Sequence, residues 1–263
     1  MLTAKTADFQ ELYEQSVQSP EQEVDFIHRA YRKKNGRNCV SMREDFCGSA
    51  ALATSWVRSD PLRTAVGIDL EPKVLAWAEK HHRSTLTPEQ QKRLKLLEQD
   101  VRTPPKEKFD AVVAYNYSWW IFKTHKDLLK YFQSARKGTA KDGMFFLDIF
   151  GGSLGEQVSI EPRKYRNFTY IWEQASFNPI DGNFLTHIHF EFKDKTRLNK
   201  AFTYDWRLWR LPEAREILLE AGFSKVDIYW EDTDKRGNAS GNFRIQKKVE
   251  NESSWSAYIV AHA

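Results

Sequence analysis

The chain has 263 residues, of which 41% are hydrophobic and 14% aromatic, so it can bury a core and does not have a disordered composition. Its 40 basic and 36 acidic residues leave a net charge of only +4, spread along the chain, which argues against a nucleic-acid-binding surface. No apolar run approaches the roughly 18 residues of a membrane span, and the N-terminus lacks the apolar segment of a signal peptide.

The first part of the chain has helical periodicity. Residues 7–34 predict two helices that are separated at Ser19-Pro20, and Gly36 ends the second. We predict that residues 1–36 form a helical cap ahead of a sheet. Tyr13, on the apolar face of the first helix, is either a core aromatic or a contact in a binding pocket.

Strands and helices then alternate as far as Asp148. The apolar runs that predict the five strands are Cys39–Arg43, Thr64–Asp69, Leu94–Asp100, Phe109–Tyr115 and Met144–Asp148. This alternation predicts a mostly parallel sheet with helices on both faces. We assign residues 37–151 to this core.

The pattern changes to a period of two after Gly151-Gly152. Phe168–Trp172, Leu185–Phe192 and Ala201–Trp209 predict an antiparallel β insertion, which we assign to residues 152–210 as a substrate lid. The remaining elements, over residues 211–263, return to the core. They are a helix from Pro212 to Glu220, a sixth strand at Lys225–Trp230, a polar loop at Asp232–Ser254 and an antiparallel seventh strand at Trp255–Ala261.

The sequence of the turn after the first strand, Glu44-Asp-Phe-Cys-Gly48, distinguishes between nucleotide cofactors and S-adenosylmethionine. A dinucleotide needs three closely spaced glycines and a P-loop nucleotide needs a lysine, whereas this turn has one glycine and two acids that repel phosphate. S-adenosylmethionine has no phosphate and carries a sulfonium and an ammonium group. Asp69 is placed to accept from its ribose, and Asp100 from its adenine amino group. Singly, Asp69 is equally a helix cap and Asp100 a loop acid.

The ordered acids resemble those of the class I S-adenosylmethionine-dependent methyltransferases. Glu44 matches the acid of the first motif and Gly48 its central glycine, although Phe46 and Ala50 stand where glycines are usual. The resemblance implies a Rossmann-like α/β fold with a seven-stranded, mostly parallel sheet, and an enzyme that uses S-adenosyl-L-methionine. The predicted cofactor-binding residues are Tyr13, Glu44, Gly48, Asp69, Leu70, Asp100, Val101 and Asn116.

The segment Asn116–Phe122 follows the fourth strand, where the family places its catalytic motif. It lacks the prolines of the motif used on nucleobases and protein amides, which favours a small acceptor. We predict Asn116 and Tyr117 as catalytic residues, with His189 of the insertion as a candidate base. For Tyr117 the alternative is packing in the core, and for His189 the alternative is a structural role. His187 and His189 lack a third ligand, so no metal site is predicted.

The sequence therefore predicts methyl transfer to nitrogen, oxygen or sulfur of a small metabolite by in-line displacement. A nucleic-acid or protein methyltransferase is one alternative, and a non-catalytic S-adenosylmethionine-binding protein is another. The expected partner is the small-molecule acceptor, without membrane or nucleic acid, and a homo-oligomer stays open. Two cysteines, Cys39 and Cys47, form no disulfide framework and favour a reduced, cytoplasmic setting.

Overall fold

The computed structural model describes residues 2–233 and 239–263, which form twelve strands and seven α-helices. The strands are β1 (Ser41–Asp45), β2 (Thr64–Asp69), β3 (Leu94–Glu98), β4 (Phe109–Ala114), β5 (Thr139–Gly151), β6 (Ser159–Lys164), β7 (Phe168–Phe177), β8 (Asn183–Phe192), β9 (Arg197–Arg207), β10 (Lys225–Thr233), β11 (Ala239–Ile245) and β12 (Trp255–His262). The helices are α1 (Phe9–Val17), α2 (Pro20–Asn35), α3 (Ala51–Ser59), α4 (Pro72–His81), α5 (Pro88–Arg93), α6 (His125–Gly138) and α7 (Leu211–Glu220). Short 3-10 helices lie at Arg83–Thr85, Ser118–Ile121 and Ser153–Glu156.

The larger sheet has eight strands in the order β11-β10-β12-β5-β4-β1-β2-β3. Strands β1 to β5 are parallel to one another, and β12 pairs antiparallel with both β5 and β10. The predicted mostly parallel sheet is therefore confirmed. Part of the segment predicted as a polar loop instead forms β11, an eighth strand at the edge beside β10, while residues 234–238 of that segment lie outside the described residues.

Strand β4 explains why its sequence is a continuous apolar run. Val112 and Ala114 face a core that is covered by α6 and α7, and Ala111 and Val113 face a second core that is covered by α2 and α3. All six residues of the strand are buried. Helices therefore cover both faces of the sheet, as the alternating pattern predicts.

The order of the strands creates the crevice that positions the site. The chain runs from β1 to β2 on one side, and β4 pairs on the other side of β1. The loops at the carboxyl ends of β1 and β4 therefore leave in opposite directions, and open α/β sheets bind ligands at such a point.

A separate antiparallel sheet, β6-β7-β8-β9, covers residues 159–207 and confirms the predicted β insertion, with β6 as an additional edge strand. One of its faces packs against α1 through Leu12, Tyr170, Ile188 and Phe190. This sheet and α1 together lie above the carboxyl ends of the parallel strands of the larger sheet. The boundaries that we assign to the four segments of the chain stay predictions.

Polar contacts fix α1 in this position. Asp8 accepts hydrogen bonds from the first turn of α1 and also from Trp77 Nε1, at 2.7 Å, on α4. Glu14 lies 2.6 Å from the ring of His82, measured between Oε1 and Nε2. Within the described residues, none of the helices combines the length and apolar content that crossing a membrane requires.

Candidate active site

The turn between β1 and α3 has the left-handed backbone conformation that favours glycine, although two of the three residues that adopt it are not glycines. Phe46, Gly48 and Ala50 have φ angles of 58°, 52° and 58°, all in the left-handed region. A non-glycine residue there costs about 1–2 kcal/mol, and the contact of the partly buried Phe46 ring with Tyr131 offsets part of this cost. The two residues that replace the family's usual glycines therefore preserve the shape of the motif.

Asp69 connects this turn to the next helix. Its Oδ2 accepts from the backbone N–H of Gly48 at 2.8 Å, and its Oδ1 accepts from the N–H of Glu71 at 2.9 Å. Each carboxylate oxygen has a second lone pair, so the group can still accept from the two hydroxyls of a ribose. Leu70 follows with 63% of its surface exposed, at the mouth of this site.

The two acids of the turn have different environments. Asp45 is fully enclosed in an ion pair with Arg43, and its Oδ2 also accepts from the Tyr131 hydroxyl at 3.0 Å, so it belongs to the core. Among the described residues, the Glu44 carboxyl group accepts a hydrogen bond only from the N–H of Ala53, at 2.9 Å. Burial raises the pKa of Glu44 well above its usual value, and neighbouring carboxylates raise it further. A cationic cofactor group beside Glu44 would favour its ionised form, which fits a sulfonium compound.

Asp100 follows β3 and is held as a carboxylate by Arg102. The pKa of Asp100 is lowered chiefly by its hydrogen bonds to the Arg102 side chain, which lies 2.6 Å away between Nη2 and Oδ2. An adenine amino group would share this acceptor with Arg102. The neighbouring Val101 is buried, and its carbonyl accepts from the Ser134 hydroxyl at 2.8 Å. The position of Val101 is therefore fixed by its contact with α6.

Asn116 and Tyr117, after β4, form a second strained turn. Their φ angles are 58° and 57°, and this conformation directs both backbone N–H groups at the Asp148 carboxylate, at 2.7 and 2.9 Å. Burial raises the pKa of Asp148 to about 7, although the two amides act in the opposite direction. A carboxyl group that titrates near neutrality thus lies directly behind the predicted catalytic turn.

A cavity of about 410 Å³ opens beside this turn. It lies between α1, the Asn116-Tyr117 turn, one face of the smaller sheet and the start of β12. Eight aromatic residues belong to its lining, namely Tyr13, Tyr117, Phe150, Tyr170, Trp172, Tyr204, Trp206 and Trp255. Glu161 and Arg163 on β6 supply its charged side chains. The structure therefore brings Tyr13, Asn116 and Tyr117 together around one cavity.

His189 is not brought to this cavity. Ile188 lines the cavity, and side chains alternate along β8, so His189 lies on the opposite face of the smaller sheet. Its ring contacts Glu173 at 2.7 Å and accepts from the N–H of Lys200 at 3.1 Å. These contacts give His189 a structural role, and the prediction of a base at this position is not supported.

The sequence reading missed two carboxyl groups that lie close to the site. Asp148 is the last residue of the strand predicted at Met144–Asp148, which is the same signal that identified Asp69 and Asp100, so it could have been found. Glu23 lies on α2 and is only 8% exposed. No sequence pattern marks Glu23, because its burial comes from the way that α2 packs on the sheet.

Comparison with known proteins gives one family match. Residues 45–147 match the model of a family described as a methyltransferase domain. This range begins directly after Glu44 and contains Gly48, Asp69, Asp100 and Asn116. No curated protein sequence matches the chain significantly.

Solved structures share the fold over the whole chain. An S-adenosylmethionine-dependent methyltransferase from Clostridium acetobutylicum has 19% identity and a TM-score of 0.70, covering 97% of each chain. An amino pentose methyltransferase from Micromonospora echinaspora, solved with S-adenosylmethionine, has 13% identity and a TM-score of 0.68, covering 97% of this chain and 96% of that one. A sugar N-methyltransferase from Streptoalloteichus has 14% identity and a TM-score of 0.62, covering 100% and 94%.

At these identities the structural likeness establishes the fold, and residues 45–147 match a methyltransferase domain. The predictions of an enzyme and of S-adenosylmethionine as its cofactor are confirmed at this level. The chain thus carries a methyltransferase domain within a fold that it shares with solved S-adenosylmethionine-dependent methyltransferases.

Proposed function

We propose that this protein transfers a methyl group to a small metabolite bound in the aromatic cavity, and that the acceptor atom is an amine nitrogen. The observation that carries this proposal is the cavity of about 410 Å³ beside the Asn116-Tyr117 turn, which is open on one side and rich in aromatic side chains. Its volume suits a ligand of metabolite size. The smaller sheet and α1 cover it, which argues against a nucleic acid or a folded protein as the acceptor.

The aromatic lining suits a cationic or partly apolar acceptor. Faces of Tyr and Trp rings attract an ammonium group, and seven Tyr and Trp side chains line the cavity. Burial raises the pKa values of Tyr13, Tyr117 and Tyr204, so their hydroxyls stay protonated and act as hydrogen-bond donors instead of bases. An oxygen or sulfur acceptor that needs a phenolate base therefore has less support.

An amine is favoured because its neutral form attacks a methyl carbon with its own lone pair, so it needs no phenolate base from the cavity. Two structural neighbours, an amino pentose methyltransferase and a sugar N-methyltransferase, add support for this class of acceptor.

The roles that we propose follow from these positions. Bound S-adenosylmethionine supplies a methyl group activated by the sulfonium. Glu44, Gly48 and Asp69 hold the cofactor, Asp100-Val101 bind its adenine, and Leu70 covers its exposed edge. Asn116 and Tyr117 orient the acceptor for in-line attack, while the cavity walls exclude water. Tyr13 contacts both ligands from α1. We place this chemistry in the cytoplasm, since Cys39 and Cys47 are both buried free thiols.

The test uses S-adenosylmethionine with a trideuterated methyl group and a metabolite extract, with mass spectrometry of the products. A second portion of the extract is acetylated first, which blocks its primary and secondary amines. We expect a product carrying the labelled methyl in the untreated portion and its absence from the acetylated portion. A labelled product in both portions would refute nitrogen as the acceptor, and a labelled product in neither would refute the transferase activity.

A further inference from the structure

We propose that the amine acceptor carries an oxyanion, either a carboxylate or a phosphate, and that Arg163 of β6 binds this group at the open side of the aromatic cavity. The inference rests on the function proposed above and adds the chemical class of its acceptor. Of the residues that line the cavity within the described part of the chain, Glu161 and Arg163 alone carry charge. Their placement therefore decides which charged acceptors the cavity can hold.

The pairing of β6 with β7 turns Arg163 and Glu161 toward the cavity. Arg163 lies opposite Tyr170 in this register, and Glu161 lies opposite Trp172. Residues that are directly opposite on paired strands share one face of a sheet, and Tyr170 and Trp172 both line the cavity. Side chains alternate along a strand, so the adjacent Lys164 points to the other face.

The guanidinium of Arg163 is held in place but is not paired with an acid. Its Cζ atom lies 5.8 Å from the centre of the ring of Tyr170, which is itself buried. The ring attracts the cation and limits the positions of the long side chain. Arg163 forms no ion pair with any other described residue, unlike Arg207 and Arg210, which pair with glutamates. Its N–H donors form a planar fork that matches the oxygens of a carboxylate or a phosphate, so they are available for an oxyanion.

Glu161 provides the opposite charge on the same face of the strand. It is two residues from Arg163, so the two Cα atoms lie about 6.6 Å apart, and no ion pair joins these two described side chains. The Ser159 hydroxyl contacts Glu161 at 3.5 Å, measured between Oγ and Oε1. Glu161 repels an oxyanion and Arg163 attracts it, so the two charges fix which end of the acceptor lies at Arg163.

Arg163 and the Asn116-Tyr117 turn line the same cavity, so one metabolite can contact both. Burial raises the pKa of Tyr117, and the positive charge of Arg163 acts against that rise, so the field of the guanidinium reaches the turn. An acceptor bound in this way presents its amine beside the turn while β6 holds its oxyanion. Arg163 is also exposed to solvent, so its attraction for the oxyanion is weakened by salt.

The test repeats the labelled-methyl experiment with extracts whose oxyanions have been masked or removed. One portion is esterified with acidic methanol, which masks carboxylates, and another is treated with phosphatase and phosphodiesterase, which remove phosphate groups. We expect one of the two treatments to lower the initial rate of labelled product about tenfold or more, and that treatment identifies the oxyanion. Saponification of the esterified portion restores its carboxylates and should restore a product that depends on them.

Variants of β6 separate binding of the oxyanion from a structural effect. With the acceptor identified by its mass, Arg163→Gln should raise its KM about tenfold with little change in kcat, and the increase should shrink at high salt. This variant should no longer discriminate between the acceptor and its masked form. The matched control is Lys164→Gln, which removes the same charge from the other face of the strand and should behave as the wild type. Both variants should bind S-adenosylhomocysteine with the affinity of the wild type.

The proposal is overturned if both treated extracts give labelled product at the rate of the untreated one, or if Arg163→Gln discriminates against the masked acceptor as strongly as the wild type. It is also overturned if Arg163→Gln weakens S-adenosylhomocysteine binding, because the residue then belongs to the cofactor site. An extract that gives no labelled product in any portion refutes the proposed function itself. A protein that methylates an amine without an oxyanion refutes only the inference about Arg163.

Discussion

Replacing Asp69 with asparagine removes one negative charge from the centre of the cofactor site and leaves the side-chain volume nearly unchanged. The Asp69 carboxylate already accepts from the N–H groups of Gly48 and Glu71, at 2.8 and 2.9 Å. In the complex it must also accept from the ribose hydroxyls. A hydrogen bond to a charged group contributes about 1.5–3 kcal/mol, so we expect Asp69→Asn to weaken S-adenosylhomocysteine binding about 10- to 150-fold.

Titration calorimetry measures this loss directly, and Glu98→Gln provides the matched control. Glu98 pairs with Asp69 in the register of β2 and β3, but its side chain is exposed and has no place in the proposed site. Glu98→Gln should therefore bind like the wild type. The reasoning is refuted if Asp69→Asn keeps its affinity within about twofold, or if the two variants lose affinity equally.

Three further outcomes follow from individual positions. Ala50 is buried at a φ of 58°, so Ala50→Val should lower the free energy of unfolding by about 2–4 kcal/mol in denaturant titrations. The control, Ala50→Gly, should stay within about 1 kcal/mol of the wild type, and equal losses in the two variants would contradict this. The pKa of Glu23 is about 8 in the folded protein and 4.5 ordinarily, so its carboxyl group lowers the stability of the fold increasingly as the pH rises from about 4.5 to 8. Relative to Glu23→Gln, the wild type should lose about 4 kcal/mol of its free energy of unfolding between about pH 5 and 9, and a difference that does not depend on pH would contradict this. His189→Ala should lower stability by about 1–3 kcal/mol through its lost hydrogen bonds and keep labelled methyl transfer; loss of transfer in the folded variant would restore His189 as a candidate base.

Much of the cofactor region could be predicted because it depends on local patterns. Buried strands that end on acids place Glu44, Asp69 and Asp100 at one sheet edge once the strands are parallel. The hydrogen bond from Gly48 to Asp69 follows from the pairing of β1 with β2. These features need only the order of elements and the chemistry of their ends.

Other features depend on contacts that no local pattern contains. A period of two predicts that His187 and His189 share a face, but which face lines the cavity is decided by α1 packing against Tyr170 and Ile188. Glu23 sits beside the apolar stripe of α2, and only the packing of that helix makes it a buried acid. Strand β11 has a polar sequence and forms because β10 offers it an edge.

The most direct test of the account is a crystal structure of the protein with S-adenosylhomocysteine. We predict that the ribose hydroxyls contact Asp69, that the adenine amino group lies beside Asp100 and Val101, and that the sulfur faces Asn116 with the aromatic cavity open beyond it. A ribose bound away from Asp69, or a sulfur that points away from the cavity, would contradict the account.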